Sequence, residues 1–425
     1  MKHSVAPILL LLLCLAFISG KAQDMNRVQQ TIDTLTAPAM HGRGYLYEGD
    51  TKAARYIRSR FEAVGLKSFG NSYFQPFTLQ VNRITETPEL CAGKHQLTPG
   101  TDFIAQPASG SGEGKAKVVA LDTLIFTDAA AAQQFFSKDL RKRALVYRAK
   151  DWPSLAALPA PYQQQLRQAA LHVVLHPKTL VASVARQQIG LPVFDVLAAA
   201  WPEKVKRVKY EIEAELVPAY ETQNVVAFVK GSLQPDSFLV FTAHYDHLGG
   251  QGRDVYFPGA NDNASGTAML LELAAHYSKQ ENRPAYSIAF IAFAAEEAGL
   301  VGSTYYVQHP LFPLRQIRFL VNLDLLGTGD EGMMVVNGSV HTNEFNLLSG
   351  LNKDAAYLPR IRSRGKAANS DHYPFSERGV PAFFFYTLGG TTAYHNTHDR
   401  PEQLPLTRFP EVFKLITRFA AALQE

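Results

Sequence analysis

The segment Tyr286–Phe293 is almost entirely apolar. A run of this kind predicts a β-strand that is buried on both faces, and such strands belong to parallel sheets covered by helices. Two further apolar runs, Phe238–Phe241 and Ile317–Leu323, have the same character. Between the runs, Ala264–Tyr277 carries its large apolar residues at helical spacing. We therefore predict an α/β fold with a mixed, mostly parallel central sheet flanked by helices.

The overall composition is that of an ordinary globular protein. The chain has 425 residues, of which 46% are hydrophobic and 19% charged, and this length allows two or three domains. The formal net charge of +4 is mild, and no long run of Lys or Arg occurs. We therefore expect no nucleic-acid partner.

Residues 1–23 have the pattern of a signal peptide. Lys2 gives a basic start, and the apolar run Pro7–Ile18 is too short to span a bilayer. Leu13 stands before Cys14, where attachment of a lipid needs a small residue. We therefore predict an exported protein, periplasmic or secreted, without stable membrane insertion. Cleavage leaves only Cys91, so any bound metal must be held by His, Asp and Glu.

The remaining chain divides into three parts by its pattern. Residues 24–84 read as N-terminal helices. Residues 85–218 alternate short β-like runs with Ala- and Gln-rich helical stretches, which predicts an inserted, smaller α+β domain. Residues 219–425 carry the α/β pattern of the catalytic domain.

Several metal-binding side chains follow the predicted strands or begin the predicted helix. In an open parallel sheet, ligands bind at the carboxyl ends of the strands. We therefore expect five side chains from distant parts of the sequence to converge on one crevice: His244, Asp262, Glu297, Asp324 and His395.

Two imidazoles and three carboxylates exceed what one tetrahedral zinc ion needs, and they suit two ions bridged by a carboxylate. We predict that Asp262 is this bridge, that His244 and Asp324 hold one ion, and that Glu297 and His395 hold the other. The ligand types favour two Zn²⁺ ions, with cobalt or manganese as substitutes. A water shared by such ions has a pKa low enough to supply hydroxide near neutral pH.

Two nearby carboxylates have predicted supporting roles. Glu296 is adjacent to a ligand and is suited to act as the general base that passes a proton to a leaving amine. Asp246 is expected to accept the second ring N–H of His244 and so to fix its tautomer.

More ordinary interpretations compete with these assignments. A Glu-Glu pair is usually a solvated helix face, but Glu296 and Glu297 follow an apolar strand. Asp324 lies between apolar residues, where an unpaired carboxylate is costly. His247 is interpreted as structural, and His398 is the alternative to His395.

Six segments resemble peptidase family M28, whose members include bacterial leucyl-type aminopeptidases. They are AHYDHLG (243–249), GANDNASG (259–266), AFAAEEAGLVGS (292–303), NLDLLG (322–327), SDHYPF (370–375) and YHNTHD (394–399). The resemblance implies the zinc exopeptidase fold, a dizinc site with the ligands named above, and Glu296 as the base. It also implies that Tyr394 hydrogen-bonds the oxyanion, that residues 370–372 line the pocket, and that the Asp262–Asn263 peptide is cis.

Two further stretches resemble other parts of family members. HGRGYLYEGDTKAARYIRSRFEAVGL is similar to the leading helices, and LTPGTDFIAQPASGSGEG with IGLPVFDV is similar to a protease-associated domain. The second resemblance implies that the insert gates the site. Deleting the insert is then expected to change selectivity against large peptides.

The sequence therefore predicts an exported dizinc aminopeptidase acting on peptides with a free N-terminus. Three alternatives are kept. A glutaminyl cyclase would use one zinc ion. A carboxypeptidase would need a basic cluster for the terminal carboxylate, for which Arg362, Arg364 and Lys366 are candidates. A non-catalytic binding module would have lost ligands, whereas all five are present here.

Overall fold

The computed structural model describes residues 23–425, so the predicted signal peptide lies outside the described residues except for Gln23. Ten strands form the larger of two sheets. They are β1 (Phe74–Ile84), β10 (Ala214–Val229), β11 (Gln234–His244), β12 (Gly250–Gln251), β13 (Val255–Tyr256), β14 (Tyr286–Phe293), β15 (Ile317–Leu323), β16 (Gly332–Val336), β17 (Ile361–Arg364) and β18 (Ala382–Leu388). Their spatial order is β13-β12-β1-β10-β14-β11-β15-β18-β16-β17.

The centre of this sheet is parallel, and most of its flanking strands pair antiparallel. Strand β11 pairs in parallel with β14 on one side and with β15 on the other, and β15 pairs in parallel with β18. Strands β10 and β16 pair antiparallel with β14 and β18, respectively. The predicted mixed, mostly parallel α/β sheet is therefore confirmed, and the carboxyl ends of its four central strands meet at one edge.

Helices cover both faces of the larger sheet, which explains the continuous apolar runs. Phe290 packs with the helices of one face, whereas its neighbours Ala289 and Ile291 pack with those of the other. The first face is covered by α1 (Met25–Thr36), α2 (Gly49–Ala63), α6 (Gly266–Tyr277), α8 (Thr342–Ala355) and α10 (Phe409–Ala422). The second is covered by α7 (Val301–Gln308) and α9 (His372–Ser376).

The second sheet lies within the predicted insert and has eight strands. Their order is β3-β2-β9-β5-β6-β7-β8-β4, with β5 to β8 parallel. Their bounds are β2 (Glu89–Ala92), β3 (His95–Gln96), β4 (Phe103–Ala105), β5 (Gly112–Ala120), β6 (Arg143–Arg148), β7 (Leu171–His176), β8 (Val193–Leu197) and β9 (Arg207–Ile212). The helices here are α3 (Ala129–Phe136), α4 (Trp152–Ala156) and α5 (Ala160–Leu166).

The chain leaves the larger sheet at the end of β1 and returns to it at the start of β10. These two strands pair with each other, and Ile84 is opposite Ala214. The boundary that the sequence predicts at residue 218 therefore falls inside β10. The reason is that no residue in the first half of β10 is buried, so its pattern does not mark it as part of a buried sheet.

Some elements differ from the prediction. Helix α6 begins at Gly266 instead of Ala264, because Ala260–Ser265 forms a wide, irregular turn. Strand β17 and helix α8 were not predicted, since few of their residues are buried and their apolar patterns are weak.

Among residues 23–425, no helix has the length and apolar character needed to cross a membrane.

Candidate metal centre

The five predicted ligands lie together at the carboxyl edge of the parallel strands. His244 is the last residue of β11, Asp324 follows β15 directly, and Glu297 lies just past β14. Asp262 is in the turn that precedes α6, and His395 is in the loop after β18. The exposed fractions of these side chains range from 2% to 14%.

Asp262 lies between two groups of ligand atoms. Its Oδ1 is 3.4 Å from Nε2 of His244, and the same nitrogen is 3.4 Å from Oδ1 of Asp324. Its Oδ2 is 3.0 Å from Nε2 of His395, which in turn is 3.2 Å from Oε2 of Glu297. The two oxygens of Asp262 thus face different imidazoles, as a bridging carboxylate requires.

Hydrogen bonds to neighbouring backbone fix the turn that carries Asp262. The carboxylate of Asp399 accepts the N–H groups of Asn261 (2.9 Å) and Asp262 (3.0 Å). The side-chain amide of Asn263 donates to the carbonyl of Leu323 at 2.9 Å. The Asp262–Asn263 peptide is cis, as the family resemblance predicts. The role of Asp399 was not predicted, although it lies only four residues after His395.

Asp246 acts differently from the prediction. Its carboxylate accepts the backbone N–H groups of Glu296 (3.1 Å) and Glu297 (3.3 Å), and it lies 3.8 Å from Nδ1 of His244. That nitrogen contacts the backbone carbonyl of Asp246 instead, at 3.1 Å. The carboxylate is engaged by the turn after β14, so it holds the predicted base and a ligand in place while the main chain orients His244.

A sixth side chain, His247, also reaches the cluster. Its Nδ1 is 2.7 Å from Oε1 of Glu297, and its Nε2 is buried without a hydrogen-bond partner. His247, Asp262 and Glu297 bring ligand atoms close enough to hold one ion. The contact with Glu297 is compatible with the structural role predicted for His247, because it orients a ligand carboxylate. His398, the alternative to His395, is exposed and takes no part in the cluster.

The charges of the cluster explain its pKa shifts. Burial lowers the pKa of His395, but hydrogen bonds to Asp262 and Glu297 outweigh it and raise this pKa to about 10. Burial also opposes the charge of His244, yet the carboxylates of Asp324 and Glu296 hold its pKa well above the usual value. Both imidazoles therefore sit where carboxylates favour positive charge, which is the electrostatic requirement of a cation site.

The donor atoms fit a divalent cation. Oδ1 of Asp324 is buried and has no hydrogen-bond partner, although it points at Nε2 of His244. Its other oxygen accepts the hydroxyl of Ser370 at 3.2 Å. A buried carboxylate oxygen without a partner is costly unless a cation occupies its free side.

The remaining predicted residues lie around the cluster. The ring of Tyr394 stacks on that of His395, with centroids 3.9 Å apart, and its side chain is about half exposed. Asp371 and His372 are fully buried beside Ser370. Burial raises the pKa of Asp371 to about 7 and lowers that of His372 to about 4.

A cleft of about 800 Å³ opens beside the cluster between the insert and the larger sheet. Its walls include Glu297–Gly299 from the turn after β14 and Val184–Gln187 from the insert. The insert thus contributes directly to the surface around the candidate metal centre.

Comparison with known proteins finds relatives that are named as peptidases. Residues 224–420 match the family model described as Peptidase family M28. The aminopeptidase YwaD of Bacillus subtilis is 25% identical over 332 residues, which cover 75% of this chain and 70% of that protein. A probable zinc metalloprotease of Leptosphaeria maculans is 41% identical over 113 residues, but these cover only 26% of each chain.

Solved structures share the fold over nearly the whole chain. A zinc aminopeptidase from Bacillus subtilis has a TM-score of 0.69 at 22% identity and covers 95% of this chain and 94% of that one. A peptidase M28 precursor from Shewanella amazonensis has a TM-score of 0.70 at 18% identity, with the same coverage. Residues 224–420 are therefore a peptidase M28 domain, and the chain is an enzyme of the metallopeptidase class.

Proposed function

We propose that this chain is an exported dizinc aminopeptidase that hydrolyses the N-terminal peptide bond of its substrates. One observation carries the proposal: the two carboxylate oxygens of Asp262 face two separate pairs of ligands. The printed names of relatives, an aminopeptidase and a probable zinc metalloprotease, support the same activity and metal.

The residues that would hold the ions divide at Asp262. His244 and Asp324 lie on one side of it, and Glu297 and His395 on the other. Zinc bound there would polarise the scissile carbonyl and lower the pKa of a bound water. His247 contacts Oε1 of Glu297, whereas His395 contacts Oε2 of the same carboxylate.

Glu296 is proposed to move the proton. Burial raises its pKa well above the usual value, and the neighbouring carboxylates of Asp371 and Glu297 act in the same direction. A raised pKa suits a carboxylate that must accept a proton and then release it to a leaving amine near neutral pH. Asp246 holds the backbone of Glu296 and so fixes the approach of this carboxylate to the substrate.

Selection of the N-terminus over the C-terminus agrees with the distribution of basic side chains. The cluster that a carboxypeptidase would need lies on or after β17, which is the edge strand of the larger sheet. Arg364 of β17 pairs with Val336 of β16, which in turn pairs with Phe384 of β18. Because Phe384 is near the start of β18, Arg364 lies toward the amino end of that strand. Lys366 is 3.7 Å from Glu377. Arg364 and Lys366 therefore lie away from the edge that carries the metal ligands. Arg362 is level, through Met334, with Tyr386 in the carboxyl half of β18, so only one of the three cations lies toward that edge.

The test is a matched pair of substrate series on zinc-loaded protein. Dipeptides and aminoacyl-amides with a free amine are compared with their N-acetylated forms, and zinc per chain is measured by mass spectrometry. The proposal expects cleavage of the free-amine series alone and two zinc ions per chain. Cyclisation of N-terminal glutamine with one zinc ion would support a glutaminyl cyclase, and cleavage of the acetylated series from the C-terminus would support a carboxypeptidase.

Export is tested separately. The chain with residues 1–23 intact is produced in a bacterium, the fractions are assayed, and the N-terminus of the mature protein is determined. Export predicts a shortened N-terminus near residue 24 in the periplasm or medium. An intact N-terminus that stays in the cytoplasm contradicts it.

A further inference from the structure

We propose that Arg43 is a positioning residue that holds the turn carrying Asp262 in its metal-binding shape. This inference rests on the proposed two-zinc site, because Asp262 is the carboxylate that both ions would share. Arg43 comes from the HGRG segment between α1 and α2, far in sequence from every predicted ligand.

The guanidinium group of Arg43 is fully buried, and all five of its N–H groups donate to backbone carbonyls. Arginine has five N–H groups in a fixed planar arrangement. The acceptors are the carbonyl oxygens of Tyr245 (2.7 Å), Leu35 (2.9 Å), Pro258 (2.6 Å), Gly259 (2.8 Å) and Asp262 (3.3 Å). No carboxylate is among these acceptors, so the residue acts as a clamp on the main chain and not as one half of an ion pair.

Four of the five acceptors lie in the segments that carry the metal ligands, and the fifth, Leu35, lies in α1. Three of them belong to Pro258–Asp262, the turn that leads to the bridging carboxylate. A fourth belongs to Tyr245, the residue directly after His244. One planar group therefore sets the spacing between the end of β11 and the turn before α6, which is the spacing between His244 and Asp262.

The backbone around Arg43 is built to bring it this close. A Cβ atom on Gly42 would lie 2.2 Å from the carbonyl oxygen of Gly249 and 2.6 Å from that of Phe257. Gly42 also has a φ of 61°, which favours glycine. The chain before Arg43 thus packs against the loop after β11 with no room for a side chain.

The charge of Arg43 and its hydrogen bonds would change the affinity for zinc in opposite directions. A buried cation near the site repels zinc, so if charge were its main effect, removing it would tighten binding. If its hydrogen bonds hold the turn, both its removal and its replacement by lysine would weaken binding. Lysine keeps the charge but has three donors on one atom, so at least two of the five carbonyls would lose their partner.

The experiment compares Arg43→Lys and Arg43→Met with the unaltered protein by chelator competition for zinc. We expect dissociation constants for both ions to rise about 10- to 100-fold in each variant, the range found when groups that orient metal ligands are removed. The matched control is Arg27→Met, because Arg27 also ties the N-terminal region down, through the buried carboxylate of Glu272 at 2.6 Å. That variant should lower the melting temperature and keep the zinc affinities.

Two results would overturn the inference: wild-type zinc affinities in Arg43→Lys, or tighter binding in Arg43→Met. Because the readout is zinc affinity, a protein that binds two ions but fails to cleave free-amine dipeptides would refute the proposed function alone.

A second measurement needs no variant and covers the case in which Arg43 variants do not fold. Hydrogen exchange of residues 257–263 is followed in the unaltered protein with zinc and after chelation. If Arg43 holds the turn, protection within this segment changes less than threefold when zinc is removed. Exchange at the rate of unstructured peptide after chelation would show that the metal holds the turn, and would overturn the inference.

Discussion

The backbone N–H of Ala182 donates a hydrogen bond of 2.8 Å to the carbonyl oxygen of His395. Ala182 belongs to the insert, and His395 is a predicted zinc ligand in a loop without helix or strand. A second bond joins the same regions, from the hydroxyl of Thr397 to the carbonyl of Gly100 at 3.0 Å. The insert therefore supports a ligand in addition to forming one wall of the cleft.

Replacing Ala182 by proline tests this support, since proline has no N–H to donate. We expect Ala182→Pro to weaken binding of the ion held by His395 about tenfold, while the ion held by His244 and Asp324 binds normally. Sequential zinc titration with a chelating dye measures both steps.

The control for this substitution is Ala185→Pro in the same segment, because the N–H of Ala185 makes no hydrogen bond within the described residues. Equal losses in the two variants would mean that proline disturbs the segment generally and that the bond to His395 has no special role.

Glu296→Gln separates catalysis from metal binding. The amide keeps the size of the side chain but cannot take up a proton, so we expect kcat to fall about 10²- to 10⁴-fold with the zinc content unchanged. Glu297→Gln is the matched control on the next residue, and it should lose zinc because Glu297 faces His395. Assay of an aminoacyl-anilide with metal analysis of the same sample distinguishes the two, and substantial turnover by Glu296→Gln would refute its assignment as base.

The bridging role of Asp262 predicts an unequal loss of metal among the ligand carboxylates. Asp262→Asn should release both ions, because each of its oxygens faces a different imidazole. Asp324→Asn should release one, since its cluster contact is with His244 alone. The number of zinc ions per chain is measured for both variants after exhaustive dialysis. Retention of one full equivalent of zinc by Asp262→Asn would exclude a bridging role.

Side chains at strand ends were predictable from sequence because the backbone fixes where they lie. An apolar run identifies a buried strand, and the parallel arrangement brings the residue after each run to the same edge. This reasoning located His244, Glu297 and Asp324 directly. Asp262 was placed by the start of the predicted helix, whereas the choice of His395 over His398 needed the motif resemblance as well, because a loop carries no such periodicity.

Interactions made by the main chain were not predictable in the same way. Arg43 and Asp399 bind backbone groups, and backbone acceptors and donors are present at every residue whatever the sequence. The carboxylate of Asp246 has backbone N–H partners for the same reason. Their partners depend on how three loops pack at one edge of the sheet, which no local pattern encodes.

His276 provides a test of the fold away from the metal centre. It lies at the far end of α6, roughly 15 Å along the helix from the bridging turn. Burial, with a smaller effect of Lys279, lowers the pKa of His276 to about 4. Its Nδ1 accepts a hydrogen bond from the amide of Asn282 at 3.2 Å, so the ring is neutral in the folded protein and protonation would break this bond.

The expected result is a loss of stability in acid that depends on this one ring. The unfolded chain binds the proton near the usual pKa of 6.5 and the folded chain only near 4, so the unfolded state binds more protons between these values. The free energy of unfolding should therefore fall as the pH is lowered from 6.5 to 4, by up to about 1 kcal/mol per pH unit from His276, because solvent reaches part of the ring. Urea unfolding of zinc-free wild type and His276→Gln across this range isolates the effect as the difference between their slopes. Equal slopes would mean that His276 takes up its proton as easily in the folded chain as in the unfolded one.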